Sequence, residues 1–285
     1  MKIIMSGATG FIGSHLRTFL TACGYEVAAV GREYFRAGAE EHLNDLVEKA
    51  EVVINLAGAS VNRRWTRRYR RVLYESRLLP TRKLVEAVNR SSRAKLFISA
   101  SAVGYYSSVG CQDEWNGVKG EGFLPDLCEA WESEVWKLRP TVRRVILRFG
   151  LVMSPDGGVL ALWNRLLKRH LMVLPSSGNQ GLAWIGLQDL MNVMIFMIER
   201  PEWTGIFNCV VPGQISLVGF LTAMTEHMPY VWKIKVPSWI WHLFLGERAV
   251  LLTQGQWVKP ARLIEAGFCF QCMTARDLQE GSKRG

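Results

Sequence analysis

The feature that most constrains this chain is its first two dozen residues. Lys2–Ser6 is a largely apolar run of strand length. Gly7-Ala8-Thr9-Gly10-Phe11-Ile12-Gly13 follows it, and a helical pattern then runs from about Phe11 to Cys23, with Gly24 at its end. A glycine-rich turn between a strand and a helix leaves the first N–H groups of the helix without partners. Those groups and the helix dipole attract negative charge. In this geometry Gly7 permits the tight turn, Gly10 lets a pyrophosphate approach the backbone, and Gly13 lets the helix pack close to the sheet. The turn predicts a dinucleotide site, with GxxGxxG spacing.

The rest of the chain supplies the context such a turn needs. Short apolar runs at 27–30, 52–56, 96–101 and 145–149 read as strands buried on both faces. Helical spacing over 40–49, 67–89 and 126–138 separates them, and Pro80 is expected to kink or break the second of these helices. Alternating strands and helices predict an α/β chain, a doubly wound parallel sheet of Rossmann type. The alternation is clear to about residue 155 and extends in part to about 210. The remainder, 156–285, reads as a smaller substrate-side lobe with helices near 159–169, 187–199 and 217–227.

Composition narrows the function classes. Of the 285 residues 49% are hydrophobic and 21% charged, which predicts a globular core rather than disorder. Six cysteines (Cys23, Cys111, Cys128, Cys209, Cys269, Cys272) show no metal-ligand pattern. The lone Cys269-Phe270-Gln271-Cys272 has no second pair, so no metal is expected. No leader pattern precedes the strand at Ile3, and no apolar run reaches membrane-spanning length, so a cytoplasmic protein without a membrane partner is expected. The tryptophans at 232–241 read as lobe packing rather than a membrane-surface helix. The net charge is +10, and six arginines lie within Arg63–Arg71. This cluster reads as a solvated helix start beside a phosphate-bearing cofactor, with no nucleic-acid motif to support the other reading.

The end of the second strand distinguishes the cofactors. An NAD site usually places Asp or Glu there, to accept from the ribose hydroxyls. Here the strand ends Val30-Gly31-Arg32. Arg32 can fork onto a 2′-phosphate, which favours NADP over NAD, although Glu33 beside it would repel that phosphate. Arg77 is a second candidate phosphate or ribose contact.

Gly7–Gly13, Asn55-Leu56-Ala57-Gly58 and Ser99-Ala100-Ser101-Ala102-Val103-Gly104-Tyr105-Tyr106 together resemble the extended or atypical branch of the short-chain dehydrogenase/reductase superfamily. Further segments sharpen the likeness in order, among them Arg64-Trp65-Thr66, Ser76-Arg77, Trp131-Glu132, Arg148-Phe149-Gly150, Gly178-Asn179-Gln180, Gly246-Glu247 and Gly267-Phe268. The whole is similar to the sugar-nucleotide epimerase-like family that carries a short C-terminal domain of unknown function, here at about 235–282. The resemblance implies NADP(H) contacts at Thr9, Gly10, Phe11 and Ile12, at Gly31 and Arg32, at Leu56 and Ala57 with Gly58 beside them, and at Arg77 and Val152. It implies a substrate pocket between sheet and lobe.

In active members of that superfamily a Tyr-x-x-x-Lys pair moves the proton and a serine orients the substrate. Ser101 takes the serine position. The tyrosine and lysine positions fall at Leu124 and Cys128, and no Tyr-x-x-x-Lys occurs between Ser101 and Arg148. Tyr105 or Tyr106 is the substitute acid. Extended epimerases also carry an arginine and a histidine near the run Gly178-Asn179-Gln180, and neither is present, which argues for a small, largely uncharged substrate rather than a nucleotide sugar. Two functions are expected: an NADP(H)-dependent epimerase or oxidoreductase acting on a small molecule, with a homodimer as the candidate assembly, or a catalytically silent NADP(H) sensor or scaffold.

Overall fold

The computed structural model describes residues 1–155 and 157–281. Asp156 and the last four residues of the lobe expected over 156–285 lie outside the described residues. Six parallel strands form the central sheet: β1 (Lys2–Ser6), β2 (Glu26–Val30), β3 (Val52–Asn55), β4 (Leu96–Ala102), β5 (Arg143–Phe149) and β6 (Gly205–Cys209). Their order across the sheet is β6-β5-β4-β3-β1-β2, and every neighbouring pair is parallel. The chain steps from β1 outward to β2, then crosses back to place β3 on the other side of β1. The strand order therefore reverses at β1 and β3, and the crevice beyond their carboxyl ends is where such sheets bind ligands.

Strand alternation explains why both faces are covered. Ile3, Met5, Val52, Ile54, Ile98, Val145 and Leu147 point to one face, while Ile4, Val53, Phe97 and Ile146 point to the other. Helix α1 (Phe11–Ala22) and a helix at Leu187–Glu199 cover the first face. Helices α2 (Glu40–Val47), α3 (Arg67–Arg90) and α4 (Phe123–Val135) cover the second. Helix α1 ends where expected, with Gly24 in the left-handed region at φ +85°. Helix α3 departs from expectation by running through Pro80 without a break. Pro80 is buried, and beside it the Thr81 hydroxyl donates to the Arg77 carbonyl at 2.6 Å, giving that turn a side-chain bond of its own.

Part of the lobe is inserted between β5 and β6, and the rest follows β6. After β5 the chain leaves the sheet, builds a helix at Gly158–Leu167 and a strand at Leu171–Pro175, and returns through Trp184–Gly186 and Leu187–Glu199 to β6. Leu171–Pro175 pairs only with a later strand, Trp232–Val236, in a sheet of two strands. The tryptophans there do not all pack as expected. Trp232 and Trp239 are 69% and 67% exposed; Trp232 stands on the face of the two-stranded sheet opposite Met172 and Leu174, the face that the lobe's helices cover.

Asp189 fastens the C-terminal segment to the main body. It is fully buried at the start of the helix Leu187–Glu199, and its two carboxylate oxygens accept from the Gln271 and Cys272 backbone N–H groups, each at 2.9 Å. Replacing Asp189 with Ala leaves those two donors unpaired, and about 2–4 kcal/mol of stability should be lost. Urea denaturation measures the loss, and limited proteolysis should then cut first in the segment after Phe270.

Candidate functional site

The cleft at the strand-order reversal is shaped by backbone contacts that exclude side chains. Gly7 has φ +71°, and a Cβ there would stand 2.5 Å from the Leu56 carbonyl oxygen. A Cβ at Gly13 would stand 2.2 Å from the Gly7 oxygen. Both distances are far inside van der Waals contact, so β1, β3 and the start of α1 meet only because both positions are glycine. Gly10 N–H closes the turn onto the Gly7 oxygen at 3.0 Å. The first turn of α1 has no side-chain cap and no acidic residue, so its positive end faces the crevice bare.

The other expected cofactor residues ring this point. Gly31 and Arg32 end β2, and Leu56, Ala57 and Gly58 follow β3. Ile12, Leu56 and Val152 pack against the same apolar cluster, on the face of the sheet covered by α1. Arg77 lies over Gly58, where a Cβ would be 3.1 Å from its guanidinium carbon. The guanidinium donates to the Leu73 and Ala59 carbonyls at 3.2 and 3.1 Å and stacks 5.3 Å from the Trp131 ring centre. Burial lowers its pKa, and no carboxylate pairs with it among the described residues. Arg32 is exposed and forms no ion pair among the described residues. The Glu33 carboxylate folds back over Gly31, in the space a Cβ would need.

A buried polar network holds this rim to the sheet. Asn55 Oδ1 accepts from Ser6 Oγ at 2.6 Å, and its amide nitrogen donates to Thr81 Oγ1 at 2.7 Å. Trp131 Nε1 donates to the same Thr81 oxygen at 2.9 Å. One asparagine thus links β1, β3, α3 and α4 in a network with its partners satisfied.

The candidate catalytic residues lie on the β4 and β5 side. Strand register sets Ser101 beside Arg148. Helix α4 packs across them and inserts Glu132, whose two oxygens accept from Arg148 Nε at 2.8 Å and Nη2 at 2.7 Å. Ser101 Oγ donates to the same Glu132 at 2.6 Å, and all three residues are at most 5% exposed. Tyr105 and Tyr106 stack on Arg148, with ring centres 3.7 and 4.7 Å from its guanidinium carbon. Tyr106 is buried and donates to Asn208 Oδ1 at 3.0 Å; burial pushes its phenol above the usual value. Tyr105 is half-buried. On α4, Leu124 lies near Gly104, and Cys128 is buried with its thiol pushed up to about 12 by desolvation.

Three participants escaped the sequence reading as a group: Glu132, Asn208 and Glu114. Glu114 accepts from the backbone N–H groups of Asn208 and Ala261 at 2.8 and 2.9 Å, fixing β6 to the C-terminal segment. The signal for Glu132 was Arg148 itself, because a cation inside an apolar strand needs a buried partner. Removing only the carboxylate, as Glu132→Ala, strands that cation and should cost about 3–5 kcal/mol. Ser101→Ala removes one bond to a charged group and should cost about 1.5–3 kcal/mol. Denaturant unfolding of both variants checks the ranking.

Comparison with known proteins agrees with this geometry. The NAD-dependent epimerase/dehydratase family matches residues 3–119, and a domain of unknown function matches residues 236–277. An epimerase family protein of Mycobacterium leprae is 33% identical over 94% of this chain and 91% of its own length. The chloroplastic epimerase family protein SDR39U1 homolog of Arabidopsis thaliana is 29% identical over 97% of this chain and 85% of its own length. The crystal structure of the human epimerase family protein SDR39U1 with NADPH superposes with a TM-score of 0.89, at 26% identity over the full length of both chains. A dTDP-4-dehydrorhamnose reductase of Bacillus anthracis in complex with NADP shares the fold, with a TM-score of 0.80 at 15% identity over 100% of this chain and 99% of its own. The glycine turn, the strand order and the C-terminal domain thus come together in one lineage, and the chain belongs to the NAD-dependent epimerase/dehydratase family.

Proposed function

We propose that this protein binds NADP(H) in the cleft at β1 and β3 and uses the nicotinamide on a small, largely uncharged substrate, without the Tyr–Lys pair of its superfamily. The observation that carries the cofactor reading is the bare positive end of α1, held against β3 by Gly7 and Gly13. The unpaired Arg32 at the end of β2 supports the 2′-phosphate, as does the NADPH of the human relative. Bound there, the cofactor would supply hydride transfer. Gly7–Gly13 would hold the pyrophosphate, Arg32 the 2′-phosphate, and Leu56, Ala57, Arg77 and Val152 the remainder.

Among the three candidate catalytic groups, the contacts favour Tyr105 for proton transfer. The hydroxyl proton of Ser101 is committed to Glu132 and that of Tyr106 to Asn208. The raised Tyr106 pKa also opposes a base role near neutral pH. Ser101 would then order the site through Glu132 and Arg148. The same commitment of Ser101 supports a second reading, a catalytically silent NADP(H) sensor or scaffold.

Turnover separates the two readings. Under the first, the protein oxidises NADPH against some member of a carbonyl panel, and Tyr105→Phe lowers kcat by about 100-fold or more while NADPH affinity stays unchanged. Tight NADPH binding with no turnover, together with a partner whose affinity differs between NADP+ and NADPH, supports the second.

Cofactor choice yields its own expectation. Arg32→Ala should weaken NADPH by about 1.5–3 kcal/mol, as for a hydrogen bond to a charged group, and leave NADH almost unchanged. Glu33→Gln removes a repelling charge and should tighten NADPH relative to NADH. Titration calorimetry of both cofactors reads the two ratios; a Glu33→Gln protein with an unchanged ratio removes Glu33 from the selectivity argument.

A further inference from the structure

The inserted lobe presents a face that the cofactor cleft leaves unexplained. Its outer strand Trp232–Val236 and the helix Ser238–Leu245 follow one another across Pro237. On them Trp232, Ile234, Trp239, Leu243 and Phe244 are exposed, from 43% for Ile234 to 73% for Phe244, and Tyr230 just before them is 59% exposed. On the helix, Trp239 and Leu243 fall at i and i+4 and share one side, with Phe244 about a quarter turn further round. A soluble surface rarely gathers so many large apolar side chains in consecutive elements without covering them.

The charge around this face is one-sided. Residues 157–188 and 227–246, which build the paired strands and their flanks, contain no Asp or Glu, yet they carry Arg165, Lys168, Arg169, Lys233 and Lys235. All five are exposed, and none forms an ion pair among the described residues. The two carboxylates that bound the second segment are engaged elsewhere: Glu226 with Arg276 and Glu247 with Arg70. Lys233 and Lys235 alternate with Trp232 and Ile234 along the strand, so they leave the opposite face of the same thin two-stranded sheet, with their charges within about a screening length of the aromatic face.

Aromatic rings with a polar edge, aliphatic side chains and unneutralised cations together suit the boundary of a bilayer with anionic headgroups. The rings sit at headgroup level, and the cations meet the negative surface potential. A second copy of this chain fits less well, because it would bring together two surroundings that carry cations and no carboxylate. Nor does any helix of the described residues have the length and apolarity to cross a membrane. We infer that this face docks the protein on the surface of a membrane containing anionic lipid, with Trp232, Trp239, Leu243 and Phe244 entering the interface and the surrounding lysines and arginines drawn to it by the negative surface potential.

Vesicle sedimentation of the full chain tests this. The protein should pellet with vesicles of phosphatidylcholine and phosphatidylglycerol, and not with phosphatidylcholine alone. Its tryptophan emission should shift to the blue on binding, and raised salt should release it. Lys233→Gln with Lys235→Gln should weaken partitioning by about fivefold per lysine. Trp239→Ser with Phe244→Ser should abolish it. NADPH affinity and the urea midpoint of both variants should match the parent, showing that the fold is intact. Three results would overturn the inference: no pelleting with either vesicle, equal pelleting with both, or a concentration-dependent dimer in solution that Trp239→Ser with Phe244→Ser disperses.

Discussion

Two missing methyl groups fix the geometry on which the site depends. At Gly7 the backbone lies so close to the Leu56 carbonyl that a Cβ would overlap it, and at Gly13 the helix touches the Gly7 oxygen in the same way. These contacts bring the end of β1, the end of β3 and the positive end of α1 to one point. The rest of the rim is positioned relative to that point. Asn55 ties β3 to β1 and, through Thr81, to the helix that carries Arg77. Arg77 in turn lies over Gly58 and holds the Ala59 carbonyl. A substitution at Asn55 would therefore move Arg77, a candidate cofactor contact it does not touch, because the intervening bonds are buried.

The neighbouring strands use a similar economy for a different end. Ser101 and Arg148 are paired by register, and Glu132 reaches both from α4. A bidentate carboxylate–guanidinium pair in a water-poor setting is rigid and specific in direction, whatever its net contribution to stability. Here it also supplies a cationic floor for Tyr105 and Tyr106. The residue types that would run a standard proton relay from α4 are replaced by Leu124 and by Cys128, whose thiol stays protonated near neutral pH. Under the proposed reading, any proton chemistry would have to come from the loop after β4 rather than from α4.

Sequence periodicity made most of the main sheet legible, and physical chemistry explains the remainder. β1 and the helix Leu187–Glu199 begin and end where the apolar pattern does, and α1 and α3 end within one residue of it. Strand β6 was not legible, because Gly205 and Asn208 interrupt its short run. Asn208 is tolerated there only through Tyr106, Glu114 and Lys259, which lie far away in sequence. The glycine turn, Gly31 and Arg32, and Leu56 to Gly58 follow the ends of β1, β2 and β3, whose places follow from the alternation, whereas Arg77 reaches Gly58 from within α3. The state of Ser101 was hidden for the opposite reason. Whether a serine hydroxyl is free or committed depends on a helix 31 residues later, and no local pattern encodes that meeting.

The tryptophans mark the limit of reading burial from composition. An apolar segment is buried only where a second layer exists to cover it. The central sheet has that layer on both faces, so its apolar runs are core. The strand Trp232–Val236 pairs with one neighbour in a sheet of two, and the helix after it lies at the margin of the lobe, so comparable side chains remain in water. The exposed face and the acid-free segments beneath it coincide, although nothing in the packing of the main sheet requires them to. Exposed apolar area weakens solubility, and unpaired cations oppose self-association, so the two features act against each other in a free monomer. Both would be relieved by a single partner that is apolar within and negatively charged at its surface.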